Sequence, residues 1–276
     1  GTGSEVTPVA VVADPERAVK VGIASPYLIP DTAICDPELT ISCPPGLTAV
    51  SGADALVHAI EAFTTAPRDQ AAGMTHEHVF VGKNVLTDGY ALAAIGNIGR
   101  NLRQAVQHGE DGDARAAVML GAMQAGLAFG TAGTSVCHAV QYPVGALTHT
   151  AHGLGVALML PYALAFNRDF SRAGIAEIAR LLGFAEAQAS EEKAADACIA
   201  GIAALLRDIA VPQTLAEIGV KADDLAWIAE QAMAANRLIK NNPRPVDRAG
   251  MDLLVKAAFT GDLSLLTTKT PDAKAS

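Results

Sequence analysis

The stretch Ser51-Gly-Ala-Asp54-Ala-Leu-Val-His58-Ala-Ile-Glu-Ala-Phe63 decides the fold class and points to a chemistry. It is rich in strong helix formers. Asp54 and His58 lie four apart, so on a helix their side chains leave the same face about one turn apart, which is chelating geometry. A second stretch, Cys137-His138-Ala-Val-Gln-Tyr142-Pro-Val-Gly-Ala-Leu-Thr-His149-Thr-Ala-His152-Gly153, supplies two more nitrogen ligands, His138 and His152. Pro143 and Gly145 interrupt the periodicity shortly after His138, so His138 is expected near the end of a second helix, with a bend that turns the two imidazoles toward one point. Three nitrogens and one carboxylate suit iron, zinc or another first-row divalent ion, and the ligand set alone does not choose between them. Taken singly, each histidine also reads as a hydrogen-bonded core residue and Asp54 as a cap; the set of four argues for a metal.

Outward from these two stretches the chain is helical from about Pro44. The periodicity predicts helices over 51–66, 86–107, 112–140, 153–165, 171–182, 190–208, 213–217, 222–236 and 248–258. The segment 112–140 is apolar at nearly every phase, which predicts one helix at the centre of a bundle, delivering His138 into the interior. Before Pro44 the character differs. Val9-Ala-Val-Val-Ala13, Lys20-Val-Gly-Ile-Ala-Ser25 and Asp31-Thr-Ala-Ile-Cys35 are short β-prone runs, separated by turn signals at Asp14-Pro15 and Ser25-Pro26. The fold class expected is therefore mainly α, a multi-helix domain preceded by a few strands.

Composition narrows the function classes. Half of the 276 residues are hydrophobic, enough for a substantial core, and aromatics are scarce at 4%, with alanine, leucine and glycine in their place. A net charge of −9 argues against a nucleic-acid or anionic-membrane partner, both of which need a basic face. Cys35, Cys43, Cys137 and Cys198 lack the spacing of a structural zinc site and read as reduced, Cys137 as packing rather than coordination. No signal peptide or uninterrupted membrane-spanning run is visible, so a cytoplasmic location is expected.

The pattern Gly52-x-Asp54-Ala-Leu-x-His58-Ala-Ile-Glu-Ala62, then His138 and His152-Gly153 leading to Leu160-Pro161, resembles the metal signature of the iron-containing (group III) alcohol dehydrogenases, in the dehydroquinate synthase-like superfamily. Gly1-Thr-Gly-Ser-Glu-Val-Thr7, Asp36-Pro-Glu-Leu-Thr40, Pro45 with Leu47-Thr-Ala49, and Asn242-Pro-Arg244 extend the resemblance over almost the whole chain. It implies Asp54, His58, His138 and His152 as ligands of Fe2+ or Zn2+, and hydride transfer between NAD or NADP and a small alcohol, aldehyde or ketone. It further implies Thr2 at the cofactor's phosphate or ribose, Lys20 toward the nicotinamide ribose, Leu39 near the adenine, and a homodimer. Members of that family begin with a nucleotide domain carrying a Gly-Gly-Gly-Ser-type loop, which these residues lack. The resemblance thus implies the C-terminal part of a longer enzyme: 1–42 as terminal strands of a truncated α/β nucleotide-binding domain, and 43–276 as an all-α metal-binding catalytic domain.

Two departures from the family pattern bear on catalysis. Tyr142 stands where many members have a substrate-side histidine, leaving Tyr142 or His149 as the proton-relay candidates. The stretch Arg68–Asp88 is longer than usual, and its Gly82-Lys-Asn-x-x-x-Asp88 feature, with Tyr142-Pro-Val-Gly145, resembles the hydroxyacid-oxoacid transhydrogenase branch. His76 and His78 in that stretch read as a second metal pair or as a solvated loop. Three readings stay open: the metal-dependent oxidoreductase, a lyase of the same superfamily, against which the Gly-x-Asp-Ala motif argues, and a metal-loaded structural or interaction module, a metal-binding fragment inactive without its N-terminal domain.

Overall fold

The computed structural model describes residues 1–14, 19–68 and 80–267, and the side chains of 13–21 lie outside that description. Two strands, β1 (Val9–Asp14) and β2 (Val19–Ala24), pair with each other as an antiparallel hairpin, Val9 opposite Ala24 and Val12 opposite Val21. The third β-prone run, 31–35, is not a strand. Pro30 and Pro37 bracket it, and among the described residues no neighbouring strand offers it a ladder.

Among the described residues the helices of ten or more residues are α1 (Pro45–Thr64), α2 (Val85–Gln107), α3 (Gly112–Ala132), α4 (Val136–Thr148), α5 (His152–Asn167), α6 (Arg172–Leu181), α7 (Glu191–Asp208), α8 (Leu225–Ala234) and α9 (Arg248–Thr260). α1 starts six residues before the periodicity suggests because Pro45 sits at its first position, where a missing N–H costs nothing. Every residue of α1 from Gly52 to Thr64 is buried, against α2, α3 and α5. α5, apolar all round, is buried from Val156 to Asn167 beside it.

The expected single helix over 112–140 is two helices. α3 ends at Ala132, and α4 leaves at 101° to it. The cause is Gly133, whose φ of 87° is strained for other residues; a side chain there would meet the Phe80 ring at 2.7 Å and the Asn241 amide at 2.6 Å. Buried Asn241 donates to the carbonyls of Ala132 and Thr134, both at 3.0 Å, satisfying acceptors freed by the break. His138 therefore opens α4 rather than closing a long helix, and α4 continues past Pro143 to Thr148, buried on both sides of the proline. Among the described residues no single helix is long and apolar enough to cross a membrane.

Two sequence features prove to be structural clamps. In Gly82-Lys-Asn-x-x-x-Asp88, Asn84 caps α2 reciprocally with Thr87, while the Lys83 ammonium donates to the Phe63 carbonyl at 2.6 Å and pairs with Asp88 at 3.3 Å. In Asn242-Pro-Arg244, Asn242 and Asn167 exchange amide hydrogen bonds at 2.7 and 2.9 Å, and Arg244 donates to the Phe166 carbonyl while lying over its ring.

Candidate metal centre

α1 presents Asp54, His58 and Glu61 on one face, at i, i+4 and i+7. Opposite it, His138 occupies the third position of α4 and His152 the first of α5. Asp54, His138 and His152 each offer a ligand atom within 4.8 Å of the other two. His58 stands at the edge of that cluster. Its ring is stacked between Phe129, at 4.0 Å, and His138, at 4.7 Å, with its Nε2 3.9 Å from Asp54 Oδ1.

The tautomers follow from the partners. His58 Nδ1 lies 2.9 Å from the Thr2 carbonyl, which only accepts, so Nδ1 carries the proton and Nε2 turns a lone pair toward Asp54. His138 Nδ1 donates to Glu61 Oε2 at 2.6 Å, leaving its Nε2 bare, 3.8 Å from Asp54 Oδ1. Both Asp54 Oδ1 and His138 Nε2 are buried without a hydrogen-bond partner. A carboxylate oxygen facing imidazole lone pairs with no proton between them is what a divalent cation satisfies, and unpaired buried acceptors are otherwise rare. The residues present fit such an ion.

Glu61, which the sequence reading passed over, organises the second imidazole. Ser135 has no capping side-chain bond of its own; instead the Glu61 carboxylate accepts from Ser135 N–H at 2.9 Å, Ser135 Oγ at 2.9 Å, Cys137 N–H at 2.8 Å and His138 Nδ1. A carboxylate from one helix thus caps the next. Burial opposes its ionisation, yet the His138 imidazole and these donors together hold Glu61 below the usual carboxylate value. Burial likewise opposes His138, and Glu61, then Asp54, raise it. Asp54 is raised by burial against the pull of His152 and His138. Burial, then repulsion from His138, lowers His58 from 6.5 to about 3, keeping it neutral.

Thr2 reaches His58 because Gly3, at φ 88°, lies with its backbone directly on Gly126 of α3; a side chain on either glycine would strike the other's backbone. Thr2 also lines the cleft of about 810 Å3 that opens onto Asp54, His138 and His152, as do Val9 to Val12, Thr134, Tyr142 and Arg237. The rings of Tyr142 and His152 are 6.5 Å apart. Burial raises the Tyr142 phenol above its ordinary 10, and Arg237, against it, pulls the other way.

The other expected residues lie apart from this cleft or beyond description. His149 is the exposed C-cap of α4 in a left-handed conformation, φ 56°, and does not line the cleft; it terminates the helix. Leu39 lies in a short 3-10 turn, 72% exposed, away from the metal cluster. Lys20 belongs to β2, and its side chain lies outside the described residues, as do His76 and His78 altogether. Cys137 is a buried free cysteine and is not among the clustered ligand atoms. Glu61 could have been found from its i+7 relation to Asp54 within the quoted motif, whereas Arg237 carries no local signal.

Residues 48–259 match the profile described as the Fe-containing alcohol dehydrogenase family, C-terminal, and residues 1–37 match the iron-containing alcohol dehydrogenase profile. The chain is 36% identical to long-chain-alcohol dehydrogenase 1 of Geobacillus thermodenitrificans over 95% of its own length and 62% of that protein's. It is 33% identical to the NAD-dependent methanol dehydrogenase of Bacillus methanolicus, covering 94% of this chain and 64% of the relative. A solved structure of a 1,3-propanediol oxidoreductase superposes with a TM-score of 0.85 at 35% identity, over 94% of this chain and 64% of that one. The chain spans a little over three fifths of the length of these relatives. With helices, ligand cluster and sequence in agreement, the chain belongs to the iron-containing alcohol dehydrogenase family.

Proposed function

We propose that this chain forms the metal-binding, substrate-facing part of an NAD(P)-dependent alcohol dehydrogenase or carbonyl reductase, with Asp54, His58, His138 and His152 as ligands of Fe2+ or Zn2+. The observation that carries this reading is the pair of bare, buried atoms Asp54 Oδ1 and His138 Nε2, brought together with His152. A bound divalent ion supplies Lewis acidity to an alcohol or carbonyl oxygen, and the nicotinamide supplies the hydride acceptor or donor.

The chain's own residues do the rest. The Thr2 carbonyl and Glu61 hold the protons of His58 and His138 at Nδ1, so each ring presents Nε2 inward. Phe129 backs His58 and keeps water from that side. Tyr142, its phenol raised by burial, stays protonated at neutral pH and serves as a hydrogen-bond donor to a substrate oxygen rather than as a base. The exposed Leu39, Lys20 on β2 and the Thr2 hydroxyl are the cofactor contacts in this reading, and the use of NAD by the Bacillus methanolicus relative supports NAD.

Metal content of His152→Ala after dialysis tests the ligand set. A marked loss relative to the unsubstituted chain is expected, since a neighbouring group does not replace a missing bond. Unchanged stoichiometry overturns the site. Metal-dependent NADH formation by the full-length protein across an alcohol panel tests the activity.

A further inference from the structure

Arg237 lines the same cleft as the ligand cluster, in the short helical turn Asn236–Ile239. Among the described residues Arg103, Arg168, Arg172 and Arg248 pair with carboxylates, and Arg100, Arg180 and Arg244 donate to backbone carbonyls. Arg237 does neither. Its guanidinium lies over the Phe80 ring, 4.9 Å from the centroid, and against the Tyr142 phenol. The site is also fixed in place. Leu238 is buried beside it, and Asn241, four residues on, is anchored to the α3–α4 break through Ala132 and Thr134. On the other side, Gly22 of β2 is bare where a side chain would come within 3.2 Å of the guanidinium.

A half-buried guanidinium that is braced by an aromatic face, left uncovered by a glycine and given no carboxylate is a ready anion site, because its planar fork donates to two oxygens at once. Tyr142 lies between it and His152. From this arrangement we infer that the substrate carries a second, anionic group of the carboxylate class, held by Arg237 while the reacting oxygen faces Asp54, His138 and His152. The inference rests on the oxidoreductase reading above and names the substrate class for that site.

The test uses the full-length, metal-loaded enzyme with matched carbonyl pairs: succinic semialdehyde against butanal, and glyoxylate against acetaldehyde. The unsubstituted enzyme should favour the charged member in kcat/KM, through KM. That ratio should fall at least about ten-fold in Arg237→Met and less in Arg237→Lys, which keeps the charge but not the fork. Metal content of each variant shows whether the centre is intact. A ratio that is unmoved in Arg237→Met overturns the inference, as does a rise in KM for NADH, the hydride donor in these reductions, with the ratio constant, which would assign Arg237 to the cofactor. Calorimetry of the same proteins with butyrate and with butanamide reads the contact without turnover: butyrate should bind the more tightly, and Arg237→Met should abolish the difference. If neither carbonyl class is reduced while this difference is present, the oxidoreductase reading fails and the anion site stands; equal binding of butyrate and butanamide overturns the anion site.

Discussion

Replacing Glu61 by glutamine is the most informative single change. Each Glu61 oxygen accepts two donors: Oε1 takes Ser135 Oγ and Cys137 N–H, and Oε2 takes Ser135 N–H and His138 Nδ1. A glutamine amide has one acceptor and one donor end. With its NH2 in the Oε2 seat it opposes the fixed Ser135 N–H, and His138 can pair with it only by moving its own proton to Nε2, the atom needed for metal. In the Oε1 seat the NH2 opposes the fixed Cys137 N–H, although the Ser135 hydroxyl can rotate to accept. Either way one buried donor is orphaned, at about 1–3 kcal/mol. Loss of the negative charge at the start of α4 adds about 0.3–2 kcal/mol, so roughly 1–5 kcal/mol in all is expected from urea unfolding of the metal-free chain. Zinc affinity by chelator competition should drop about 10–100-fold, the usual effect of removing a ligand's supporting partner. The pH dependence has a definite sign. Glu61 titrates below its ordinary 4.5 in the fold, so its contribution is complete above about pH 4.5 and is lost as pH falls through the folded value; the Gln variant should lack that acid limb. A Glu61→Gln protein with unchanged unfolding and zinc affinity within about two-fold would refute the tautomer argument.

Gly126→Ala should displace the Gly3 backbone and withdraw the Thr2 carbonyl from His58, freeing its Nδ1 proton; weaker metal retention with normal helix content by circular dichroism is expected, and full retention would remove Thr2 from the account. Tyr142→Phe should leave metal content intact and lower turnover of the full-length enzyme, and unchanged rates would reduce Tyr142 to packing. Metal retention should weaken on acidification, beginning above pH 6.5, because His138 and Asp54 both hold protons above their ordinary values while His58, near 3, does not compete. Chelator competition should show about one decade of affinity per pH unit for each proton displaced; a pH-independent affinity would contradict it.

What was legible in the sequence was local. Asp54 and His58 share a face through spacing alone. The single helix over 112–140 failed for a physical reason: a segment apolar at every phase has no periodicity to lose, so a break leaves no trace in the pattern. The only signal was Gly133-Thr-Ser135. What makes the break a corner is Asn241, 109 residues from the Ala132 carbonyl it satisfies, and no spacing rule spans that distance. Arg237 enters the cleft by the same long-range route. Gly82-Lys-Asn-x-x-x-Asp88 shows the converse, a pattern that invites a substrate reading and that the structure spends on capping α2 and holding the end of α1.

The two carboxylates on α1 solve one electrostatic problem in two ways. His138 and His152 both lie in the first turn of a helix, α4 and α5, where the partial positive charge of the helix end disfavours a cation. Neither helix is capped by a side chain of its own N-cap residue. Glu61 neutralises the end of α4 and has every lone-pair site committed to protein donors, so it is not available as a ligand. Asp54, one helical turn before His58 and two before Glu61, keeps Oδ1 uncommitted, which is what the proposed ligand role requires. Two negative charges beside neutral imidazoles balance a divalent ion, so the buried centre carries no net charge when loaded, which is the condition under which burial stops opposing it. The roles are therefore not exchangeable. A carboxylate moved from 61 to 58 would offer a ligand but leave the α4 end uncompensated, and one lost from 54 would leave the capped helix with nothing to share its metal.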